Sequence, residues 1–446
     1  QPSPGARVRT VYATDNSIYQ LRPHGVLAPT SAAEVQALIA ANRTAPDPRP
    51  ITARGAGTGT NGQSLTDGIS LDLKRHMSAM GPVDLEAKTV EVEPGIVTAE
   101  LNEKLAPLGL FWPPSTSTVN RATVGGMIST DAAGKGSLLY GRTSGHVVAL
   151  DVVLDDGSLW RAEAQPMARA EELAAGLGRE AEIWRALIDV PEGPHELPEL
   201  ARGFSGYGID RIRANGMINP IPVLCGSEGT LGVITAATLA LTPIPAHNVL
   251  VIAGYDSFDA ALRDSLRLTS SSPSAIETFD ETTLGRGRAS TAWPMLEEVI
   301  GSEAGSALLL EYTGEDIPDV GAVERTIRDG GVATSVTVVT DPGVKAAAWK
   351  VRADAVGLLA KVAPGAPRPT AFVEDCAVPV AEMPAFIAEF RSILDGHGLT
   401  YGMFGHADVG CVHVRPALDL IDPAHEALVA TVTNDVVALL ARHGGI

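Results

Sequence analysis

The stretch Arg54-Gly55-Ala56-Gly57-Thr58-Gly59-Thr60-Asn61-Gly62-Gln63-Ser64 constrains this chain more than any other. The short apolar run Ile51-Thr52-Ala53 precedes it and Gly68–Leu73 follows, which predicts strand, glycine loop, strand. Glycines at 55, 57, 59 and 62 let the backbone turn its N–H groups inward and approach a bound group without interference from Cβ. Thr58, Thr60 and Ser64 add hydroxyl donors. A concave row of donors suits an anion such as phosphate, with a plain glycine-rich turn as the alternative. No Gly-Lys-Ser/Thr ending is present, which excludes a P-loop, and the Rossmann fingerprint requires its glycines to open a helix. Here a turn, Thr66-Asp67-Gly68, and an alternating strand follow instead. Any phosphate on this loop is held by backbone amides in a turn.

The chain has 446 residues, too many for one core, and two or three domains are expected. Its 45% hydrophobic and 20% charged composition is that of a globular protein. A net charge of −19 repels nucleic acid and anionic membrane, so an acidic substrate needs a local cluster of arginines. No run of 18 apolar residues is present, and no membrane span is expected. Gln1–Gly5 shows no secretory signal, although Gln1 is not Met and upstream residues are expected to have been removed. Cys225, Cys376 and Cys411 form no CxxC pair, which fits a reducing cytoplasm and is too few for a four-cysteine iron–sulfur cluster.

In chain order, Gly25–Ala28 reads as a strand. Thr30 or Ser31 then caps a helix carrying Val35, Leu38 and Ile39, with Glu34 as capping-box partner. Thr89–Glu93 alternates as a strand, and a helix from Val97 carries Leu101, Leu105 and Leu108. Two further small-residue segments follow. The first runs from Pro114-Ser115 through Thr123-Val124-Gly125-Gly126-Met127-Ile128-Ser129-Thr130 and Gly136 to Tyr140-Gly141, read as a second loop, before the strand Val147–Leu154. The second is Gly226-Ser227-Glu228-Gly229-Thr230-Leu231-Gly232-Val233-Ile234, read as a third turn entering a strand. A lone phosphate does not need three such elements; a long, flat, two-phosphate cofactor does.

Together these loops resemble the FAD-binding domain of the vanillyl-alcohol-oxidase/p-cresol-methylhydroxylase (VAO/PCMH) flavoproteins over roughly residues 20–245. The resemblance implies that the first loop cradles the pyrophosphate, the second lies along the isoalloxazine, and the strand from Glu228 to Ile234 helps to hold the adenosine part. It implies cofactor contacts from Arg54 to Thr60, Asn61, Gln63 and Ser64, and from Pro114, Ser115, Thr123, Gly125, Gly126, Ser129, Thr130, Gly136, Tyr140 and Gly141. Glu228, Gly229, Gly232, Val233 and Ile234 complete the set. No His stands at Gly57-Thr58-Gly59, where members with covalent flavin carry one, so non-covalent FAD is implied. Residues 163–202 read as a helical insertion, Met167–Leu187, with a Pro/Glu-rich loop, Val190–Leu200, whose acidic run reads as a solvated face, with a partner site as the alternative.

From about Asn248 strands alternate with helices. Strands are expected at Val249–Tyr255, Ser274–Phe279, Ala307–Tyr312 and Ser335–Val339, and helices at Phe258–Leu268, Val320–Arg328 and Pro342–Val362. Two β-α-β-like passes suggest a ferredoxin-like antiparallel sheet. The fold class expected is therefore α+β, with a two-subdomain VAO/PCMH-type FAD-binding domain (1–247) and a ferredoxin-like substrate or cap domain (248–404). Residues 405–446 are expected to form a metal hairpin and a truncated C-terminal segment. In the long helix Val344, Ala348, Val351, Ala355 and Leu358 form the core stripe. Trp349 and Arg352 lie on the neighbouring row, where a surface stack is the plain alternative.

A Trp-x-x-Arg there looks like the substrate-carboxylate arginine of FAD-linked D-2-hydroxy-acid dehydrogenases, which include D-lactate and D-2-hydroxyglutarate dehydrogenases. The fork of Arg352 matches a carboxylate, and Arg368 and Arg415 offer further cations, with a surface Pro/Arg turn as the alternative for Arg368. The stretch Gly405-His406-Ala407-Asp408-Val409-Gly410-Cys411-Val412-His413-Val414-Arg415-Pro416 reads as strand, tight turn, strand. His406 and His413 can then face each other and hold a divalent metal, Zn or Mn; ordinary turn histidines are the alternative. The pattern resembles the His-x6-His metal site of the same branch. Asp408-Val409-Gly410-Cys411, Tyr12–Tyr19 and Val373-Glu374-Asp375 resemble the subgroup fused to an iron–sulfur region, acting on D-2-hydroxyglutarate. That family has a Gly-Glu-His-Gly motif after its last helix, supplying a carboxylate ligand and a histidine near the flavin. This sequence reads His443-Gly444-Gly445-Ile446 there, and a fragment is expected.

The implied reaction is hydride transfer from C2 of a D-2-hydroxy acid, foremost D-2-hydroxyglutarate, to flavin N5. The metal acts as Lewis acid, His413 or the downstream histidine takes the proton, and Arg352, with Arg368 or Arg415, holds carboxylate beside Trp349. Electrons would pass to a non-oxygen acceptor through an iron–sulfur region outside this chain. A cytoplasmic site is expected, peripheral to the inner face of the membrane if the acceptor lies there, and a homo-oligomer is left open. D-Lactate or glycolate-type dehydrogenation, an oxidase of the same fold, and a non-catalytic flavin-binding subunit are the alternatives.

Overall fold

The computed structural model describes residues 5–191, 198, 200, 206–316 and 319–446. They divide into two compact units: one within Gln1–Gly134, Tyr140–Leu197 and Phe204–Ile244, the other within Lys135–Leu139, Pro198–Gly203 and Pro245–Ile446.

The first unit holds two principal sheets. In the smaller, Gly25–Leu27, Ile69–Asp72 and Ile51–Arg54 pair in parallel, with Ile69–Asp72 in the middle. The helix Ala32–Arg43 begins where Ser31 Oγ accepts from Glu34 N, and Glu34 Oε2 accepts in return from Thr30 N at 2.7 Å. The reciprocal cap thus spans both candidate residues. The larger sheet is antiparallel, in the order Met80–Asp84, Thr89–Val92, Val233–Ala240, Val147–Val153, Leu159–Glu163. Its core joins Trp112, Leu101, Leu105, Val124, Ile128 and Leu150, all fully buried.

Two local readings are corrected. The second small-residue segment is not loop throughout: Val124–Ser129 is helical, with Thr123 Oγ1 capping Gly126 N at 3.3 Å. The glycine pair hid it, since glycine disfavours helix unless close packing asks for it; a Cβ on Gly125 would come within 2.6 Å of Pro94. The strand entered from the third turn begins at Val233, not Glu228. Glu228, Gly229 and Gly232 all have positive φ, a turn geometry that delays the strand. The insertion holds two helices, Met167–Ala174 and Arg179–Asp189, and Trp184 packs edge-on against Trp160 at 6.2 Å. Most of the Val190–Leu200 loop lies outside the described residues.

The second unit is built on one antiparallel sheet of eight strands. Its first four run in the spatial order Ser335–Val339, His247–Tyr255, Ser306–Gly314, Ala275–Phe279. With the helices Phe258–Leu268 and Val320–Asp329 between them in sequence, this is the ferredoxin-like β-α-β-β-α-β order. The sheet then continues: Tyr401–His406 pairs with Ala275–Phe279, and Cys411–Leu418 pairs with Tyr401–His406. The hairpin set apart as 405–446 is therefore continuous with this sheet. The long helix Pro342–Leu359 starts at the cap Asp341 and buries Ala348, Val351, Ala355 and Leu359. Leu359 takes the place foreseen for Leu358, as a 3.6-residue period requires after Ala355. Among the described residues one helix, Pro423–Arg442, is long and apolar enough to cross a membrane; it buries Val432, Val436, Leu439 and Leu440.

Candidate active site

In the first unit the three small-residue segments converge. A Cβ on Gly55 would fall 2.3 Å from Thr123 Oγ1, so the first loop meets the second at a distance only glycine allows. Gly226 N and Glu228 N donate to the carbonyls of Ile128 and Ser129 at 3.0 and 2.8 Å, tying the third turn to the second segment. Among the described residues, none of the six backbone N–H groups from Gly55 to Thr60 donates to a protein acceptor. Such a row of unclaimed, half-buried amides, turned by Gly57 at φ +66°, fits a phosphate cradle.

Arg54 supports this loop from behind. It is buried and donates to Thr14 O at 2.7 Å and more weakly to the Tyr12 and Ser64 carbonyls. The Tyr12 ring lies 5.2 Å from its Cζ. Burial and the Asp72 hydrogen bond push the Tyr12 hydroxyl up to about 12, so it stays a donor. Of the other predicted cofactor residues, Ser129 and Thr130 turn their hydroxyls back onto the Gly125 and Gly126 carbonyls. Asn61 N donates to Gln63 Oε1, and Ser64 Oγ donates to Asp15. Ser115 O limits Gly134 to glycine, Pro114 is buried beside it, and Tyr140 packs edge-on against Phe111. Gly136 and Gly141 have positive φ, while Val233 and Ile234 are buried in the sheet.

In the second unit the sheet alternation gathers a set of polar groups on one face. Register pairs Glu277 with His406, Phe404 with His413, and His406 with Cys411. The intervening Val412 and Val414 enter the opposite, apolar core. His406 and His413 thus approach with Nε2 atoms 3.3 Å apart. Each Nδ1 reaches a carboxylate: His406 Nδ1 donates to Glu277 Oε1 at 2.7 Å, and His413 Nδ1 to Asp375 Oδ1 at 2.7 Å. A carboxylate here only accepts, so both Nδ1 atoms carry the hydrogen and both Nε2 lone pairs point at each other. Burial lowers the His413 pKa, against the pull of Asp375, and favours its neutral form.

Two lone pairs in that position call for a cation between them. Tetrahedral zinc with Zn–N near 2.0–2.1 Å places neighbouring ligand nitrogens about 3.4 Å apart. Carboxylates on the outer nitrogens are the usual supports of metal-binding imidazoles. The residues present therefore fit a divalent metal, and Asp375, Cys411 and His413 also lie within 4.8 Å of one another as donors.

Sequence reasoning missed Glu277, the most buried acid of this set. Its signal was a carboxylate inside the otherwise buried strand Ala275–Phe279. Glu277 Oε2 accepts from Arg352 Nε at 3.0 Å and Nη2 at 2.8 Å. Burial would raise its pKa, but His406 and Arg352 overcome this and hold it below the usual carboxylate range. Arg352 stacks at 5.2 Å over the Phe404 ring, and Nη1 has no protein acceptor among the described residues. Arg415 pairs with Glu374 at 2.6 Å, and its Nε is buried without a partner among the described residues. Arg368 is exposed on the strand beside Cys411–Leu418. Trp349 is not part of this cluster; its ring carries Lys135 Nζ at 4.0 Å.

Both halves define a flavoprotein class. The FAD binding domain family matches residues 23–163, and the C-terminal domain of FAD linked oxidases matches 244–446. The chain belongs to this VAO/PCMH-type FAD oxidase family. Among its relatives, the D-2-hydroxyglutarate dehydrogenase of Pseudomonas putida is 42% identical over 98% of this chain and 45% of that protein. The Escherichia coli D-2-hydroxyglutarate dehydrogenase is 39% identical with the same coverages. A glycolate oxidase subunit, GlcD, of Bacillus subtilis is 26% identical over 92% of this chain and 77% of that protein. The chain thus spans just under half the length of the curated D-2-hydroxyglutarate dehydrogenases it matches. A solved alkyldihydroxyacetonephosphate synthase shares the fold, with a TM-score of 0.67 and 16% identity over all of this chain and 77% of that one.

Proposed function

We propose that this chain is the flavin part of an FAD-dependent dehydrogenase of D-2-hydroxy acids, with D-2-hydroxyglutarate as the foremost substrate. One observation carries the reading: two imidazoles with opposed Nε2 atoms are each backed by a carboxylate, and the one behind His406, Glu277, also holds an arginine. Non-covalent FAD would supply a two-electron acceptor, and a divalent metal (Zn or Mn) held by His406 and His413 would supply a Lewis acid for the 2-hydroxyl. Glu277, Glu374 and Asp375 outnumber Arg352 and Arg415 by one charge, and a divalent cation turns this cluster from net negative to net positive. Substrate carboxylate is thereby attracted in spite of the net charge of −19.

Arg352 orients the C1 carboxylate through its Nη1 side. Arg415, with the orphan Nε, and exposed Arg368 are the candidates for a distal carboxylate. Once both Nε2 lone pairs are bound, neither imidazole is free to take the hydroxyl proton. The base is then the histidine that the family resemblance places after the last helix, rather than His413. An iron–sulfur region outside this chain is the proposed electron exit, and the cytoplasm the proposed location.

Anaerobic mixing of flavin-loaded protein with D- and L-2-hydroxyglutarate tests the reading: the D form bleaches the flavin and the L form does not. Equal or absent bleaching contradicts it. The Arg415–Glu374 pair favours one second reading, a D-lactate-type monocarboxylate, since it leaves Arg352 as the main anchor.

A further inference from the structure

Glu277 sits in the interior of a strand with 1% of its surface exposed, between buried Ile276 and Thr278. A buried ion pair is rarely the most stable choice, because apolar residues of similar volume often serve folding as well or better. The position of its two oxygens points to another use. Oε1 is engaged by His406 Nδ1 and Oε2 by Arg352 Nε and Nη2, so one planar group holds two side chains from two different elements. Cross-strand register places Glu277 directly opposite His406, while Arg352 arrives from the helix Pro342–Leu359.

We propose that Glu277 is a positioning residue that sets the spacing between the imidazole pair and the arginine, and so couples hydroxyl binding to carboxylate binding. The inference rests on the function proposed above and adds a residue to it. Its first action is on His406: by taking the Nδ1 hydrogen it leaves Nε2 bare and aimed at His413. Its second is on Arg352, whose Nε–Nη2 edge it occupies, leaving Nη1 for a ligand. Because both contacts fall on one rigid carboxylate, neither partner moves without the other. Glutamine matches the shape but has one acceptor and one donor end. Glu277→Gln can therefore satisfy His406 or Arg352, and turns an NH2 group toward the other.

The test uses flavin-loaded protein, wild type and Glu277→Gln, with three readouts: bound flavin, zinc affinity, and the separate kcat and KM for D-2-hydroxyglutarate. The expected variant keeps its flavin, binds zinc about 10–100-fold more weakly, and shows a raised KM together with a lowered kcat. Glu277→Asp, whose carboxylate is one methylene shorter, is measured beside it and is expected to lose in both zinc affinity and KM. A folded variant of either kind with zinc affinity and KM both near wild type overturns the proposal. So does a variant that loses only thermal stability, since that is the signature of a purely structural ion pair. Wild-type protein that binds no zinc and is not reduced by any 2-hydroxy acid would instead sink the underlying function.

Discussion

The Nε2 atoms of His406 and His413 stand 3.3 Å apart, each ring fixed from behind by a carboxylate on its Nδ1. Two neutral imidazoles do not choose that arrangement for its own sake. His406→Ala or His413→Ala should each abolish the bound metal and lower the rate of flavin reduction by D-2-hydroxyglutarate by about two orders of magnitude or more. Flavin content should remain near wild type, because the amide cradle lies in the other unit. Metal analysis and flavin absorbance on the same sample check both halves.

Arg352 separates binding from stability. Arg352→Lys keeps a charge near Glu277 but loses the fork, and KM should rise at least about tenfold with modest loss of stability. Arg352→Ala leaves Glu277 Oε2 buried without its partner. Removing one side of such a pair costs about 3–5 kcal/mol. Its melting temperature should fall by roughly 10 °C, and KM should rise by orders of magnitude while FAD stays bound. Thermal melts and steady-state kinetics on the two variants distinguish the effects.

The flavin cradle is testable at Gly55. Gly55→Ala puts a methyl 2.3 Å from Thr123 Oγ1, so the first loop must leave the second segment. Purified protein should then be largely colourless. Gly109→Ala is the control: Gly109 has positive φ, which Gly55 has not, but nothing lies within 4 Å of its Cβ position. It should cost about 1 kcal/mol and keep its flavin.

Asp280 gives the pH dependence. Burial pushes its carboxyl up to about 6, against hydrogen bonds from Thr283 and the nearby Arg391. The folded pKa lies above the ordinary 3.8, so the folded state binds the proton more tightly. That stabilisation is complete below the unfolded pKa and disappears as pH rises through about 6. Asp280→Asn, which stays neutral, should therefore gain on wild type between pH 4 and 7, by at most about 3 kcal/mol. Melting curves of both proteins across that range check the sign.

Much of this fold was legible because its periodicities are strong. Phe258–Leu268 and Ser335–Val339 fall where apolar spacing puts them, and the ferredoxin-like order follows from alternating strands and helices. The helix Val124–Ser129 was not legible, because its glycines answer to packing against Pro94 rather than to helix propensity. At the site, the two histidines announce themselves by spacing on one hairpin. Their supports do not: Glu277 is 129 residues from His406, and Asp375 reaches His413 from an irregular segment where its own φ is +61°. Cross-strand register, which a single sequence does not encode locally, brings them together.

The most direct test of the account is anaerobic reduction of the flavin by D-2-hydroxyglutarate in chelator-stripped protein, before and after one equivalent of zinc or manganese. The account predicts little bleaching without metal, restoration near one ion per chain, and no restoration in His413→Ala. Full bleaching of the metal-free wild type would contradict it.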